Sequence, residues 1–300
     1  MLKRIVNILK SHSFFLFGPR STGKSTLLLF NFPKEDHLWV DLVNSKTESL
    51  LRQDPEKLED LIEGAPSSKQ KFIIIDEIQK NPKLLDVVHR LSFERKIKFA
   101  LTGSSARKLK RGAANLLAGR AFSFTCFPLT HIELEKKFDL DSILAFGSLP
   151  EIFELNGQDR IFFLRSYVET YFKEEVSAEQ LVRNLIPFRN FLEVASHSNG
   201  KILNINNIAH DIGVDHSTVK NYSSILEDTM LGFLLPPYHG SIRKRQQSKS
   251  KFYYFDLGVQ RALSGRLEIK LEPGNYEYGE AFEHFIILEF FRLIRYKKPD

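Results

Sequence analysis

The segment GPRSTGKS at residues 18–25 is the feature that most restricts how this chain of 300 residues can fold. Phe14–Phe17 before it predicts a short buried strand, and the apolar run in Thr22–Phe30 predicts a helix. Gly18 and Gly23 let the intervening backbone turn tightly, so its N–H groups and the positive end of the helix face one point. That arrangement suits a phosphate group and predicts a phosphate-binding loop at the first strand of an α/β domain.

Each residue of this loop has an expected task. We expect Lys24 to reach the β- and γ-phosphates of ATP and the Ser25 hydroxyl to bind Mg²⁺, with the backbone wrapped around the phosphates. The residues predicted to contact the nucleotide here are Gly18, Pro19, Arg20, Ser21, Thr22, Gly23, Lys24, Ser25 and Thr26.

Apolar strands alternate with helical segments as far as Pro128, which predicts a parallel sheet with crossover helices. Further strands are predicted at His37–Leu42, Phe72–Ile75, Phe99–Leu101 and Ala121–Phe127. Helices are predicted at Asp54–Ile62 and from the Asn81–Pro82 pair through Arg95. After Pro128 helical patterns dominate, up to a long amphipathic helix over Tyr278–Ile294.

The segment FIIIDEIQ at residues 72–79 supplies two acids where the third predicted strand ends. Ligands of doubly wound sheets bind at the carboxyl ends of strands, so Asp76 is expected to hold Mg²⁺, in part through water. Glu77 beside it is placed to orient and deprotonate an attacking water. The alternative is that Glu77 is a solvated acid at a strand end. The Asp-Glu pair favours hydrolysis over transfer to a nucleoside acceptor.

Two further kinds of side chain are candidates for this site. A hydroxyl at the end of the fourth strand is expected to sense the γ-phosphate or position the water, with Thr102, Ser104 and Ser105 as alternatives. Arg107 and Arg120 are candidate cations for the charge of the transition state. Arg120 would act in cis or on a neighbouring subunit, or would belong with Lys108, Lys110 and Arg111 to a basic surface.

Bulk composition narrows the class of protein. No apolar run approaches the roughly 20 residues that span a bilayer, so no membrane partner is expected. The single Cys126 cannot form an intramolecular disulfide and fits a buried position in a protein of the reducing cytoplasm. A net charge of +6 favours an anionic partner, although bound nucleotide alone requires positive charge.

Residues 202–235 predict a helix-turn-helix. Asn204 or Asn206 would cap a first helix, Gly213 would make the turn, and Asp215 or Ser217 would cap a second helix. In a DNA-binding module the start of the second helix meets base edges, here His216, Ser217, Thr218 and Lys220. The basic stretch that follows would form a wing for phosphate contacts, with Arg243, Lys244, Arg245, Lys249 and Lys251. The alternative is a packing or protein-contact module with a solvated hairpin.

With these pieces in order, the chain resembles the prokaryotic AAA-type ATPases that carry a C-terminal domain of unknown function. The resemblance rests on GPRSTGKS, FIIIDEIQKNP, LTGSSARKL, LLAGRAFSF, FPLTHIEL, GSLPEIF, SKFYYFDLGV and GEAFEHFIILE, and covers nearly the whole chain. It implies an AAA+-like sheet, a helical segment and a winged-helix region, but no known substrate.

One departure from this family concerns the end of the chain. In the family, the segment like GEAFEHFIILEFF leads into a nuclease-like sheet with an Asp and a Glu-x-Lys, whereas this sequence stops at Asp300. Glu280 and Glu283 alone cannot hold catalytic metal, so nuclease activity is not expected, whether the end is natural or not. The apolar residues of the last helix would lie partly exposed, which predicts self-association; they are Phe282, Phe285, Ile286, Phe290 and Leu293.

The sequence thus predicts an α/β fold: a P-loop NTPase parallel sheet, AAA+-like, followed by a mostly helical region with a winged helix-turn-helix. The predicted parts are an ATPase domain over 1–130, a helical segment over 131–200, a winged-helix region over 201–256, and the start of a nuclease-like domain over 257–300. The expected function is hydrolysis of ATP with Mg²⁺ coupled to a region that binds duplex DNA. Alternatives are a nucleotide-gated switch with negligible turnover and an interaction scaffold.

Overall fold

The structure is a computed structural model that describes residues 2–105, 121–177, 182, 184–238, 240 and 249–297. The chain divides into two compact units, one formed by residues 1–127 with 294–300 and the other by Pro128–Leu293. No helix of the described ranges combines the length and the apolar character that a bilayer-crossing segment requires.

The first unit contains a five-stranded sheet and its helices. Its strands are β1 Ser13–Phe17, β2 Leu38–Asp41, β3 Phe72–Asp76, β4 Lys98–Gly103 and β5 Ala121–Thr125. Its helices are α1 Lys24–Asn31, α2 Ser45–Gln53, α3 Lys57–Glu63 and α4 Leu84–Glu94, with 3₁₀ turns at Ser67–Lys69 and Ile78–Lys80. The strands lie in the order β2-β3-β4-β1-β5 and all pairs are parallel. The predicted α/β fold with a parallel P-loop-type sheet is therefore confirmed.

Alternation along the central strands explains why both faces of this sheet are covered. Successive side chains of a strand point to opposite faces. Ile73 and Ile75 accordingly pack in a core shared with α2, α3 and α4, while Ile74 packs in a second core with residues of β1 and α1. A strand that is buried on both faces reads as a continuous apolar run, which is what residues 72–75 show.

The second unit is mostly helical. Its helices are α5 His131–Leu134, α6 Leu140–Phe146, α7 Gln158–Thr170, α8 Leu185–His197, α9 Ile205–Ile212, α10 His216–Asp228, α11 Leu257–Leu263 and α12 Tyr276–Lys297, the last ending in the first unit. A π-helical turn, Tyr171–Ser177, follows α7, and 3₁₀ turns lie at Glu135–Lys137 and Pro150–Glu154. The antiparallel strands β6 Gly232–Leu235 and β7 Lys251–Tyr254 follow α10. One apolar core joins residues from Leu149 to Leu267.

The last helix leaves part of its apolar surface exposed, as expected, and buries a face that carries polar side chains. Of the apolar residues expected to need cover, Phe285 is buried, whereas Phe282 and Phe290 are exposed. The face directed into the protein carries three polar side chains, His284, Glu289 and Arg292. An apolar periodicity cannot identify such a face, because its polar members find hydrogen-bond partners inside the protein.

Candidate active site

The carboxyl ends of β1, β3 and β4 lie at one edge of the sheet, because these strands are parallel neighbours. The loop 18–25 leaves β1 at this edge, and Asp76 ends β3 there. Since Ile75 is paired with Leu101, the next residues, Asp76 and Thr102, face each other across β3 and β4. The sheet topology therefore brings three separate sequence motifs together.

The loop itself adopts a conformation that depends on its glycines. Gly23, directly before α1, has φ +87°, in the left-handed region that glycine occupies at no steric cost. The Gly18 N–H donates to the Gly103 carbonyl at 3.2 Å, and a Cβ on Gly18 would lie 2.2 Å from the Cys126 carbonyl oxygen. Any larger residue at position 18 would therefore push the loop away from the sheet.

Lys24 is the first residue of α1 and is buried. Its ammonium donates to the carbonyls of Gly18 at 2.9 Å and Pro19 at 3.0 Å, so the cation lies against the loop. The buried Thr22 hydroxyl donates to the same Pro19 carbonyl at 2.9 Å. These three bonds hold the loop in a closed curve around the lysine head group.

Two hydroxyl groups hold the carboxylate of Asp76. The Ser25 hydroxyl donates to Oδ2 at 2.9 Å, and the Thr102 hydroxyl donates to Oδ1. The pKa of Asp76 lies above its ordinary value, chiefly because the carboxyl group is buried. The two hydroxyl donors oppose this shift, and the charge of Glu77 adds to it. A carboxylate and a serine hydroxyl in contact are hard oxygen ligands of the kind that Mg²⁺ prefers.

Glu77 has its backbone in the left-handed region at φ +59°, which is uncommon for a residue with a side chain. Its N–H donates to the Thr102 hydroxyl at 3.0 Å. Its carboxylate accepts from the Gln79 amide and from the Ser104 hydroxyl, the latter at 3.3 Å. Strained backbone at the end of a buried strand is common at functional sites.

The structure thus brings together at one edge of the sheet five of the candidate residues, Lys24, Ser25, Asp76, Glu77 and Ser104. Their roles stay predictions. The other loop residues differ in exposure: Pro19 is buried, Arg20 is half-buried, and Ser21 and Thr26 are exposed. The predicted cations of the stretch 106–120 lie outside the described residues; they are Arg107, Lys108, Lys110, Arg111 and Arg120.

The structure also separates the three hydroxyl candidates, which sequence reasoning left open. Thr102 contacts the Asp76 carboxylate, while Ser104 contacts the Glu77 carboxylate. Ser105 is buried. Sequence reasoning missed Gln79, whose buried amide donates to both Glu77 and Ser104, the latter at 3.0 Å. Its position three residues after Asp76 in DEIQ was the available signal.

The second candidate surface lies on the helix-turn-helix of the second unit. Asn204 caps α9 by accepting from the Asn207 N–H at 3.2 Å, and Gly213 makes the turn at φ +67°. At the start of α10, His216, Ser217 and Lys220 are exposed and Thr218 is half-buried. The opposite face of α10 is buried through Val219, Tyr222, Ile225 and Leu226. The residues predicted to meet base edges therefore lie largely in solvent.

A groove of about 490 Å³ follows the exposed face of α10. His216 and Lys220 line it from α10, and Lys249 lines it from the segment before β7. Its other walls include Leu234 of β6 and Asn204 at the start of α9. The predicted wing cations Arg243, Lys244 and Arg245 lie outside the described residues, whereas Lys251 pairs with Glu283 at 3.0 Å.

Comparison with known protein families divides the chain about eight residues after the boundary between the two compact units at Phe127. Residues 10–135 match the family model described as "AAA domain", and residues 137–270 match the one described as "Domain of unknown function (DUF8612)". The predicted resemblance to AAA-type P-loop proteins with a C-terminal domain of unknown function is thereby confirmed.

Individual relatives are distant. An uncharacterized protein of Haemophilus influenzae is 21% identical over 311 residues, which span 92% of this chain and 73% of that protein. Among solved structures, the Orc1 protein of Aeropyrum pernix in complex with DNA is 14% identical, covering 86% of this chain and 87% of that chain. Its TM-score of 0.35 is below the level that establishes a shared fold.

Proposed function

We propose that this chain, which carries an AAA-type P-loop domain, binds ATP with Mg²⁺ and hydrolyses it. The observation that carries the proposal is the Ser25–Asp76 hydrogen bond of 2.9 Å, because it joins the loop motif to the acid of the third strand. Glu77 is next to that acid in the sequence and has its carboxylate held on hydroxyl and amide donors. A phosphate loop without such an acid pair would support binding alone.

The residues present fit a nucleotide with its metal. Lys24 already lies against the loop and would exchange two backbone carbonyls for phosphate oxygens. Ser25 and Asp76 would hold Mg²⁺, which is bound through few protein ligands and keeps water and phosphate oxygens as the others. The ion would neutralise phosphate charge. The described residues contain no group of three or more His, Cys, Asp or Glu that could hold a metal ion.

Glu77 is the residue proposed to activate water. A base must lie within hydrogen-bond reach of the proton that it accepts, and the end of β3 directs this carboxylate to the same edge as the loop. Ser104 and Gln79 restrict its orientation. Arg120 is proposed as a cation for transition-state charge, in cis or in trans.

Phosphate release from ATP, measured for the wild type and for Glu77→Gln, tests hydrolysis. We expect the variant to retain ATP binding and to lose roughly 10²–10⁴-fold in rate, the usual contribution of a general base. Glu35→Gln, which alters an exposed acid of the same unit, is the matched control and should leave the rate unchanged. Equal, near-zero rates in all three proteins, with ATP binding retained, would replace the enzyme by a nucleotide-gated switch.

A second proposed activity is binding of duplex DNA through the helix-turn-helix and the following strands, acting as a winged helix. The observation that favours it is the exposure of His216, Ser217 and Lys220 on α10 beside a groove that also contains Lys249. Lysines at such a position suit phosphate contacts, and the first turn of the second helix suits base contacts.

Salt titration of binding to duplex DNA tests this second activity. Changing Arg243, Lys244 and Arg245 together to Ala should weaken binding on all sequences and reduce the salt slope by up to about 3, since each lost phosphate contact contributes about 0.9. Asn156→Ala, at an exposed position that does not line the groove, is a control without change of charge. An unaltered slope in the triple variant would exclude the wing as a phosphate contact.

Self-association is proposed for the exposed apolar residues Phe282 and Phe290 of α12, which are 41% and 63% exposed. Oligomer mass measured with and without ATP distinguishes an assembling scaffold from a monomeric ATPase. A mass of one chain under both conditions would exclude the scaffold. The cytoplasm is the proposed compartment, in keeping with the single, buried Cys126.

A further inference from the structure

The N-terminal segment before β1 contacts the back of the phosphate loop through Arg4. One guanidinium nitrogen of Arg4 donates to the Thr22 carbonyl at 2.7 Å, and the other donates to the Phe127 carbonyl at 2.5 Å. The second nitrogen also lies 3.2 Å from the Tyr296 hydroxyl. Arg4 therefore joins the loop to two segments that are distant in sequence.

Tyr296 lies in the last turn of α12 and belongs to the same compact unit as the loop. Its hydroxyl accepts from the Phe127 N–H at 3.1 Å, in addition to the Arg4 contact. Its ring lies 5.5 Å from the Phe127 ring in an edge-to-face arrangement. The end of α12 is thus fixed to the residue that follows the buried Cys126, whose thiol donates to the Thr22 carbonyl at 3.3 Å.

These contacts extend to Lys24, the residue of the loop motif that is expected to bind the phosphates. The Thr22 carbonyl is held by Arg4, and the Thr22 hydroxyl donates to the Pro19 carbonyl. The Pro19 carbonyl in turn accepts from the Lys24 ammonium. A continuous chain of hydrogen bonds therefore connects Tyr296, through Arg4 and Thr22, to the lysine head group.

We propose that Arg4 and Tyr296 are positioning residues of the phosphate loop, and that the last turn of α12 thereby sets its affinity for nucleotide. This inference rests on the proposed function. A loop that spends only part of its time in the binding conformation binds with an affinity reduced by that fraction. The planar guanidinium, with its fixed fork of donors, restricts two carbonyls at once. Removing one partner of the fork increases the freedom of the loop.

The proposal makes the nucleotide site responsive to α12. Coupling between two sites is reciprocal. Nucleotide bound at the loop would therefore stabilise the contacts of Tyr296 by the same free energy by which those contacts favour nucleotide binding. Nucleotide state would therefore be communicated to the last turn of α12, where Tyr296 lies.

Affinity for MgATP tests the proposal most directly. Tyr296→Phe removes one hydroxyl, and we expect the Kd to rise about 3–10-fold while kcat changes less than twofold, since the variant loosens the loop without altering Glu77. Tyr238→Phe makes the same chemical change at a side chain that is 99% exposed and is the matched control. Arg4→Gln should raise the Kd further, and Arg4→Lys should fall between Arg4→Gln and the wild type.

Amide hydrogen exchange of residues 18–25 in the nucleotide-free protein gives a readout that is independent of ATP. Exchange in this loop should be faster in Tyr296→Phe than in Tyr238→Phe. If Tyr296→Phe has the lower urea midpoint, the increase in exchange should exceed what that loss of global stability explains. Equal exchange and equal Kd in the two variants would overturn the proposal. If the wild type binds no MgATP, the proposed function fails, and the exchange experiment still decides the positioning role.

Discussion

Each of the two units buries a cluster of charged and polar side chains, and the two clusters have different surroundings. Asp76 lies at an open strand edge, with a glycine-containing loop in front of it and hydroxyl groups as its partners. Asp256, in the second unit, is fully buried and accepts from the backbone N–H groups of Ser148 at 2.8 Å and Val259 at 3.1 Å. Burial raises the pKa of both carboxyl groups.

The second cluster contains Asp256 and Arg292, and its hydrogen-bond partners indicate a structural role. Arg292 is 2% exposed and donates to the Leu129 carbonyl at 3.1 Å, the Ser148 hydroxyl at 2.8 Å and the Phe255 carbonyl at 2.9 Å. It thereby joins three segments of one unit, and the Asp256 side chain caps α11. A buried charge with a raised pKa therefore does not by itself indicate an active site. The distinguishing feature of Asp76 is its place beside the phosphate loop.

The sharpest test of this comparison is Arg292→Met. Removing one member of a buried charged network leaves its partners uncompensated, so we expect the free energy of unfolding to fall by about 3–5 kcal/mol. Affinity for MgATP should be retained in the folded fraction. Urea denaturation measures the loss, and Arg165→Met, which breaks an exposed pair with Glu268, should cost below about 1 kcal/mol. A loss at Arg292 no larger than at Arg165 would contradict the structural role.

Lys24→Met tests the first cluster, around Asp76 and the phosphate loop. The variant keeps the apolar stem and loses the cation, so we expect hydrolysis to fall roughly 10²–10³-fold, as for loss of one preorganised donor to developing charge. Stability should change far less than in Arg292→Met, because Lys24 holds two carbonyls of a single loop, whereas Arg292 joins three separate segments. Phosphate release and urea midpoints measured on one preparation give both values. A rate close to that of the wild type would remove Lys24 from the site.

His284 gives the second cluster a dependence on pH. Burial lowers the pKa of His284 to about 4 from 6.5, and its ring lies 2.7 Å from the Tyr254 carbonyl. Because the folded protein favours the neutral ring, the associated stability is complete above pH 6.5 and is lost as pH falls toward 4. The gap corresponds to about 3 kcal/mol.

Unfolding free energies measured from pH 7 to pH 4 check this sign. His284→Gln should flatten the dependence, whereas His210→Gln, at an imidazole that is 92% exposed, should not. An unchanged slope in His284→Gln would mean that the ring binds a proton equally well in the folded and unfolded states, contrary to its burial.

The smallest effect on stability is expected for Lys220→Ala. The side chain is exposed on α10, so the unfolding free energy should change by no more than about 0.5 kcal/mol. Binding to duplex DNA, if the winged-helix proposal holds, should weaken and its salt slope should fall by about 0.9. A large loss of stability would place Lys220 in the fold and remove it from the proposed interface.

Short motifs made the first cluster predictable from sequence, whereas the second was not. The loop 18–25 and the acids Asp76 and Glu77 follow from the chemistry that phosphate and metal demand at strand ends. That Thr102 is the hydroxyl in contact with Asp76 depends on the register of β3 against β4, and no local sequence pattern contains that register. Arg292 and His284 were missed because most of their partners are backbone groups over 25 residues away in sequence. Arg4 was missed because the carbonyls that it contacts, those of Thr22 and Phe127, are 18 and 123 residues away in sequence.

The prediction of secondary structure failed where local patterns are weakest. The region between β2 and β3 contains two helices, α2 and α3, where one was expected over 54–62. The Asn44 side chain caps the unexpected helix by accepting from Lys46 N at 3.0 Å. In contrast, the sequence indicated where α9 begins and ends, because Asn204 was one of two candidate caps and Gly213 was the expected turn.

The burial of the single thiol, Cys126, makes its rate of chemical labelling a probe of local opening in this protein. A side chain with no exposed surface reacts with a thiol reagent only when its surroundings open, so the labelling rate measures the frequency of opening. The thiol lies against the Thr22 carbonyl, which makes that frequency a property of the phosphate loop. The chain has one Cys, so a cysteine introduced on the surface would react first and could carry a spectroscopic label without removal of the native one.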